Sequence, residues 1–202
     1  MFAGTCLCLD ACYLSEMRII AGSAKRREIK VPNAVVRPTT DRTREALFSI
    51  LQSYVGRAKV LDLFAGAGSL GMEALSRGAQ SCDFIEANRI CAKVINENLA
   101  GLGLRTGSVI KSDAMSFVRH CHGKYDLVFA APPYFKTPGD RDFVTELLQD
   151  KKLPTILEND GIVVMEVDAN HHPVVPSPWE QLDRRRYGSC VIIFIRKNNE
   201  AS

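Results

Sequence analysis

The residues that could do chemistry begin with a glycine-rich segment that follows a short apolar run. Gly66, Gly68 and Gly71 satisfy the pattern G-x-G-x-x-G, in which missing Cβ atoms allow a tight turn and a close approach of a ligand to the backbone. The pattern predicts a nucleotide-type pocket between a strand and a helix. Alone it is not specific, because the same glycines would suit a strand-to-helix turn that binds nothing.

Three acids, Asp62, Glu86 and Asp113, stand at the predicted carboxyl ends of three successive strands. Parallel strands bring these ends to one crevice, so the three carboxylates should face one ligand. Asp62 would repel a pyrophosphate at the helix N-terminus and would suit an ammonium group. Glu86 lies where an acid typically accepts hydrogen bonds from ribose hydroxyls, and Asp113 could receive an adenine amino group. Each acid singly could also be an ordinary strand-end cap.

With these residues the chain resembles class I S-adenosylmethionine-dependent methyltransferases, and its flanking motifs resemble those of the bacterial small-subunit rRNA guanine-N2 methyltransferases, the RsmD family. The likeness extends from about Met17 to about Lys197. It implies S-adenosyl-L-methionine as cofactor, 16S rRNA or the assembled small ribosomal subunit as partner, and guanine 966 as the methylated base. It also implies a cofactor site made of Asp62, Phe64, Ala65, Gly66, Gly68, Gly71, Glu86, Ala87, Asp113 and Ala114.

The resemblance also gives a role to Ala131-Pro132-Pro133-Tyr134, which follows the fourth predicted core strand. Methyltransferases that act on the exocyclic amine of a base carry Asp or Asn here, followed by Pro-Pro and an aromatic residue. The side-chain oxygen and a proline carbonyl accept the two N–H bonds of the amine, and the aromatic ring stacks on the base. These four residues are therefore the expected catalytic group.

Ala131 departs from this pattern, because alanine has no acceptor atom. Losing one such hydrogen bond should cost about 1–3 kcal/mol, which is roughly ten- to hundredfold in rate. Restoring it by Ala131→Asp should raise the rate about tenfold or more. Three interpretations stay open: a slow enzyme, an engineered inactive form, or a natural variant that takes its acceptor from another residue.

The N-terminal part of the chain is basic. Between Met17 and Arg44 eight basic residues stand against two acids, although the net charge of the whole chain is only +3. This asymmetry favours a face that meets phosphates, and ordinary solvated charge is the alternative. The run from Arg37 to Arg42 matches a hallmark of the family, which implies RNA contacts here. The expected RNA-binding residues are Arg18, Lys25, Arg26, Arg27, Lys30, Thr40, Arg42 and Arg44.

The elements that must position these residues alternate strand and helix from Val60 to Ala130, and a hairpin follows near the C-terminus. This rhythm predicts an α/β fold with a doubly wound, mainly parallel sheet. The resemblance implies seven strands in a Rossmann-like methyltransferase fold. We divide the chain into a disordered extension (1–16), a basic β-hairpin arm (17–36) and a methyltransferase catalytic domain (37–202), with the hairpin strands expected over Met17–Ser23 and Arg27–Pro32.

Composition bounds the class of protein. The chain has 202 residues, 46% of them hydrophobic, and a mean hydropathy of -0.05, as expected for one globular α/β domain. No apolar run approaches the ~20 residues that cross a bilayer, and the first ten residues lack the pattern of a secretory leader. We expect a cytoplasmic monomer without a membrane partner. No metal is expected, because a sulfonium methyl group is already electrophilic.

Three other functions stay open. Ala131 is compatible with a catalytically weakened or non-catalytic module that binds RNA and S-adenosylmethionine. Adenine-N6 methylation of a nucleic acid is the second, since related signatures methylate that amine in DNA, although no separate DNA target-recognition domain is evident in the 202 residues. A nicotinamide-dependent oxidoreductase would rest on the glycine pattern alone.

Overall fold

Two β-sheets organise the computed structural model, which describes residues 13–32, 39–135, 137 and 139–198. The strands are β1 (Tyr13–Arg18), β2 (Glu28–Pro32), β3 (Lys59–Leu63), β4 (Ser81–Ile85), β5 (Gly107–Ile110), β6 (Tyr125–Ala130), β7 (Leu157–Asp168), β8 (Trp179–Tyr187) and β9 (Cys190–Lys197). The first two strands form an antiparallel hairpin, and the other seven form one sheet in the order β5-β4-β3-β6-β7-β9-β8. Strands β3 to β7 are parallel, whereas β9 runs antiparallel to both β7 and β8. The predicted α/β fold with a mainly parallel seven-stranded sheet is confirmed.

The helices that connect these strands have side-chain caps at several N-termini. They are α1 (Asp41–Ile50), α2 (Gln52–Val55), α3 (Ser69–Ser76), α4 (Arg89–Leu102), α5 (Ala114–His120), α6 (Phe143–Gln149) and a 3-10 helix over Leu153–Ile156. Asn88, Asp113 and Asp142 accept backbone N–H bonds in the first turns of α4, α5 and α6. Gly103, with a left-handed φ of 73°, ends α4. Such caps satisfy orphan groups at helix ends and so fix where each helix starts and stops.

The core is divided between the two faces of the sheet, because successive strand residues point to opposite sides. Helices α1, α3 and α4 cover one face, which we call the first face, and pack on residues such as Val60, Phe129 and Val164. Helices α5 and α6 cover the second face, where Leu61 and Met165 are buried. Parallel strands covered on both sides are expected to be mostly apolar. Strands β3 and β6 agree with this apart from Lys59, Asp62 and Asp126.

The hairpin differs in position from the prediction. Strand β1 begins at Tyr13, inside the stretch assigned to a disordered extension, and it ends at Arg18, so residues 19–27 form a longer loop than a Gly-Ser turn. Met17 and Ile29 are register partners whose side chains are buried in the cluster of the first face. The hairpin is therefore packed against the main sheet and its helices, while residues 1–12 lie outside the described residues.

Three smaller differences concern the main sheet. Strand β5 ends at Ile110, so Asp113 is not a strand residue as predicted but the N-cap of α5. Helices α2 and α6 and the 3-10 helix were not predicted, because their apolar residues are too few to establish a period. In the part of the chain that is described, no helix combines the length and apolar character needed to span a membrane.

Candidate active site

A cavity of about 480 Å³ opens at the carboxyl ends of β3, β4, β6 and β7. This is the edge at which open parallel sheets bind their ligands, and the volume is within the usual range for small-molecule sites. It is lined by Thr39, Asp62, Phe64, Ala65, Gly66, Ala67, Ser69, Leu70, Ile85, Glu86, Ala87, Ser112, Asp113, Ala114, Ala131, Pro132, Pro133, Tyr134, Phe143 and Glu166. Eight of the ten predicted cofactor residues and all four predicted catalytic residues are in this set.

Asp62 is a buried carboxyl group at the floor of the cavity. Only 2% of the residue is exposed, and Oδ2 accepts the backbone N–H of Gly71 at 3.0 Å. Burial raises the pKa of Asp62 to about 8, the Gly71 hydrogen bond opposes this rise, and the negative Glu86 adds to it. A group with such a pKa is mostly protonated at neutral pH and would ionise when a cation binds beside it.

Glu86 connects the glycine loop to the end of β4. Its Oε2 accepts the backbone N–H of Gly66 at 2.8 Å, and its Oε1 accepts the N–H of Asn88 at 2.7 Å. A carboxylate offers about four acceptor sites, so two remain for a ligand. Phe64, which has a left-handed φ of 60°, turns the chain from β3 into this loop.

The three glycines of the loop have different structural roles. Gly66 lines the cavity, whereas Gly68 and Gly71, which were also predicted as cofactor residues, are not among its lining residues. A Cβ on Gly71 would lie 2.3 Å from Phe84 Cε1 and 2.6 Å from Cys82 Sγ. Gly71 therefore lets α3 pack closely on β4, a role that the glycine pattern also requires. Gly68 has a φ of 76° and faces Met72 and Ile95.

Asp113 and Ala114 line the cavity at the start of α5. The Oδ1 atom of Asp113 accepts the N–H of Ser116 at 2.8 Å, which leaves Oδ2 without a hydrogen bond among the described residues. Phe143 completes this part of the wall and packs edge-on against Phe64, with ring centroids 5.1 Å apart. The carboxyl group of Asp113 thus borders an apolar surface that could hold a flat ring.

Ala131 to Tyr134 form the opposite wall, where β6 ends. Ala131 packs against the cluster of the first face, and Pro132 is buried. The Tyr134 hydroxyl donates to Glu166 Oε1 at 2.6 Å. Thr39 donates to the other oxygen of Glu166, Oε2, at 2.7 Å. Two hydroxyl groups therefore fix a carboxylate beside the Pro-Pro-Tyr segment.

Glu166 is the functional candidate that the sequence analysis missed. It is 8% exposed, it lines the cavity, and it lies near the carboxyl end of β7. A signal was present, since Glu166 is an acid in an otherwise apolar run from Gly161 to Val167. Asp62 interrupts β3 in the same way. In both β3 and β7, an acid near the carboxyl end of a buried strand therefore belongs to this site.

Two of the predicted RNA-binding residues on α1 have structural roles. Arg44 is fully buried, and its Nη2 donates to the Arg18 carbonyl at 2.5 Å and to Asp41 Oδ1 at 2.9 Å. Burial lowers the pKa of Arg44, and the charges of Asp41 and Glu73 oppose this. The prediction that Arg44 contacts RNA is wrong, because its guanidinium cannot reach the surface. The Thr40 hydroxyl caps α1 by accepting the Thr43 N–H, whereas Arg42 is exposed.

The cations of the hairpin lie at a distance from the cavity. The Arg27 guanidinium donates to the carbonyls of Gly101 and Leu102 at the end of α4, and Lys30 pairs with Glu97 at 3.3 Å. Helix α4 starts near the cavity and has 14 residues, so its last turn is roughly 20 Å from its first. Arg18, Lys25 and Arg26 are also exposed. The described residues contain no cluster of His, Cys, Asp and Glu suited to a metal ion.

Comparison with known proteins identifies the family. The model of a family described as conserved hypothetical protein 95 matches residues 17–196. Ribosomal RNA small subunit methyltransferase D of Escherichia coli strain K12 is 37% identical over 166 residues, which is 81% of each chain. The protein of the same name from Haemophilus influenzae is 32% identical over 178 residues, 86% of this chain and 90% of the relative.

A solved structure has the same fold over nearly the whole chain. The Escherichia coli protein yhhF superposes with a TM-score of 0.76 at 29% sequence identity and covers 91% of this chain and 98% of its own. Sequence and fold therefore both match over most of the chain. The chain belongs to the family described as conserved hypothetical protein 95, that of the small-subunit rRNA methyltransferases D.

Proposed function

We propose that this chain transfers a methyl group from S-adenosyl-L-methionine to the exocyclic N2 of a guanine in 16S rRNA. The observation that supports this most strongly is that one cavity joins two different walls. Asp62, Glu86 and Asp113 line one side, and Pro132 to Tyr134 line the other. The first side suits a cationic nucleoside, the second suits a flat base, and a methyl group could pass between them.

The cavity fits S-adenosylmethionine better than a dinucleotide. Its described lining contains four acids and no Lys or Arg, so a pyrophosphate would meet repulsion without a compensating cation. Asp62 would face the ammonium group, Glu86 would use its two free acceptor sites for ribose hydroxyls, and Asp113 Oδ2 would accept the adenine amine. Phe64 and Phe143 supply apolar surface for the adenine. The acidic lining therefore argues against a nicotinamide dinucleotide, and so against the oxidoreductase alternative.

The amine that receives the methyl group is a weak nucleophile, because its lone pair is delocalised into the purine ring. The protein must therefore orient this amine toward the methyl group. When bound, S-adenosylmethionine would supply an electrophilic methyl group with a neutral thioether as leaving group, and the methylated amine would give up one N–H proton to solvent. The Pro132 carbonyl would accept one N–H of the amine and so orient its lone pair. The Tyr134 ring would stack on the base, which is worth roughly 1–3 kcal/mol.

The choice of rRNA draws support from the relatives, whose names specify ribosomal RNA of the small subunit. The exposed Arg42 lies three positions after Thr39, which lines the cavity. We infer from this spacing that Arg42 is near the mouth of the site, where the phosphate next to a flipped base would pass. We assign the primary phosphate contact to Arg42, and the exposed cations of the hairpin would extend the contact along the RNA.

The test is single-turnover transfer of a tritiated methyl group to small ribosomal subunits isolated without the modification, with enzyme in excess. The expected result is about one methyl group for each particle. A chain that binds S-adenosylhomocysteine but transfers no methyl group under these conditions would be the non-catalytic module. Stabilisation by NAD without any response to S-adenosylhomocysteine would instead establish a nicotinamide enzyme.

A further inference from the structure

We propose that Glu166 determines the specificity for guanine and supplies the acceptor that Ala131 lacks. Its carboxylate would accept the N1–H and one N2–H of the target guanine, and the Pro132 carbonyl would accept the other N2–H. This inference rests on the proposed function and adds a residue, a contact and a reason for the choice of base.

The position of Glu166 follows from the register of the sheet. Strands β6 and β7 are parallel neighbours, and their last paired residues are Ala130 and Met165. The next residues along these strands are Ala131 and Glu166, so they lie side by side. Neighbouring strands are about 4.8 Å apart. An oxygen missing from Ala131 can therefore be replaced by a longer side chain one strand away.

The two side chains also lie on the same face. Phe129 of β6 and Val164 of β7 are buried on the first face, and Ala131 and Glu166 follow each of them by two positions. Strand residues two apart point to the same side. Glu166 is thus directed to the face on which Ala131 lies, and both line the cavity.

The four acids of the cavity fall into two groups. Strands β3, β4 and β5 lie on one side of β6, and β7 lies on the other. Asp62 lies near the end of β3, Glu86 and Asp113 follow β4 and β5, and all three are assigned to the cofactor. Within the described lining, Glu166 is the carboxylate on the far side of the Pro-Pro-Tyr segment. Glu166 is therefore the acid on the side of the cavity that we assign to the base.

Glu166 is held in place with acceptor capacity to spare. Tyr134 donates to Oε1 at 2.6 Å, and Thr39 donates to Oε2 at 2.7 Å. These bonds use two of about four acceptor sites and leave one on each oxygen. The Tyr134 bond also couples the carboxylate to the ring that would stack on the base. A base placed on the ring would present its edge to a carboxylate that is already oriented.

The chemistry of the two purines makes this contact selective. Guanine presents N1–H and the N2 amine next to each other, and these two donors match the two oxygens of a carboxylate. Adenine presents its N6 amine beside N1, which is an acceptor and would oppose a carboxylate oxygen. A site built to receive an N–H strongly rejects an analogue without it, because buried polar groups are then left unpaired. Glu166 would therefore favour guanine-N2 over adenine-N6.

The experiment uses particles that carry either guanine or 2-aminopurine at the position which the wild-type chain modifies, mapped first by mass spectrometry. 2-Aminopurine keeps the amine that receives the methyl group but has an acceptor at N1 in place of N1–H. We expect the wild-type chain to prefer guanine at least about tenfold in kcat/KM. Glu166→Gln should lower the guanine reaction about ten- to hundredfold and reduce the preference at least about tenfold, since the glutamine amide can donate to N1.

A matched control is Glu158→Gln, which makes the same change at the opposite end of β7 and should leave both rates unchanged. If Glu166→Gln fails to fold, Tyr134→Phe offers a second variant, because it removes a hydroxyl that orients Glu166 and keeps the ring. It should also narrow the preference for guanine.

Equal losses on guanine and 2-aminopurine would show that Glu166 only supports the structure, and the inference would be overturned. Unchanged guanine activity in Glu166→Gln would overturn it as well. A wild-type chain that methylates adenine, or no base at all, would remove the proposed function itself. That outcome is visible in the mapping step, before any variant is compared.

Discussion

Tyr134, at the end of the Pro-Pro-Tyr wall, donates its hydroxyl proton to Glu166 on the neighbouring strand at 2.6 Å. The bond joins a ring suited to stacking with a carboxylate suited to the edge of the same base. The two functions can be separated by substitution. Tyr134→Phe removes the hydroxyl alone, and Tyr134→Ala removes the ring as well.

We expect Tyr134→Phe to lower kcat/KM for methyl transfer about tenfold, the effect of one hydrogen bond to a charged group. Tyr134→Ala should lose roughly 1–3 kcal/mol more, because the stacking surface is also gone. Steady-state kinetics on small subunits measures both. Tyr54→Phe, an exposed tyrosine in α2, is the control and should have no effect. Equal rates for the wild-type chain and the Tyr134→Phe variant would contradict the coupling.

The effect of Ala131→Asp should depend on Glu166. With Glu166 present the acceptor is already supplied, so the rate should change by less than about threefold. In the Glu166→Gln background the new oxygen should raise the rate roughly tenfold. A double-mutant cycle in single-turnover transfer measures this difference, with Ala131→Val as a control for bulk. A tenfold rise in both backgrounds would mean that Glu166 does not replace the hydrogen-bond acceptor missing at Ala131.

Cofactor binding should release a proton from Asp62. Its pKa of about 8 in the free protein keeps the carboxyl group mostly protonated at pH 7, and an ammonium group would favour the ionised form. Affinity for S-adenosylhomocysteine should therefore rise between pH 6 and 8, with release of about one proton at pH 7. Calorimetry in buffers of different ionisation enthalpy gives the number of protons. Asp62→Asn should bind more weakly and release none, and proton release that survives this substitution would assign it to another group.

Gly71→Ala should destabilise the fold by about 2 kcal/mol or more, because its Cβ would meet Phe84 and Cys82 at distances that no relaxed structure allows. Gly101→Ala in α4 is the matched control, since nothing lies within 4 Å of its Cβ. That change should raise stability by roughly 0.5–1 kcal/mol through helix propensity. Urea unfolding measures both free energies. Similar values for the two variants would contradict the packing role of Gly71.

Substitutions of Arg42 and Arg44 should have different effects, the first on RNA binding and the second on the stability of the fold. Arg42→Ala should weaken binding to small subunits about tenfold and reduce the salt dependence by roughly one phosphate contact, without changing the unfolding free energy. Arg44→Ala should lower the unfolding free energy by about 2 kcal/mol or more, because a buried hydrogen-bonded cation is lost. Arg105→Ala, at an exposed position in the turn before β5, is the control and should change neither quantity. Loss of stability in Arg42→Ala would contradict this division.

Much of the fold follows from local pattern. The alternation of apolar runs and amphipathic stretches predicts β3 to β6 and the helices between them within a few residues. The acids Asp62 and Glu86 were placed correctly, because the carboxyl ends of parallel strands must meet at one edge. Short helices such as α6 escaped prediction, since seven residues hold only two turns of periodicity.

The relationships that decide the chemistry are long-range, and the sequence does not contain them in local form. Glu166 is 35 positions from Ala131 and becomes its neighbour only through the pairing of β6 with β7. Arg42 and Arg44 look equivalent in sequence, yet one is exposed and the other is buried under the hairpin. Gly71 belongs to a sequence motif for ligand binding, but in the structure it allows α3 to pack closely on β4. In each case tertiary contacts determine the role.

The most direct measurement is the nucleoside composition of small-subunit rRNA after a single turnover with S-adenosylmethionine, determined by mass spectrometry of the digested RNA. We expect one N2-methylguanosine for each particle with the wild-type chain, and a sharply reduced yield with Glu166→Gln. An rRNA that gains N6-methyladenosine, or gains no methyl group while the chain is saturated with cofactor, would contradict it.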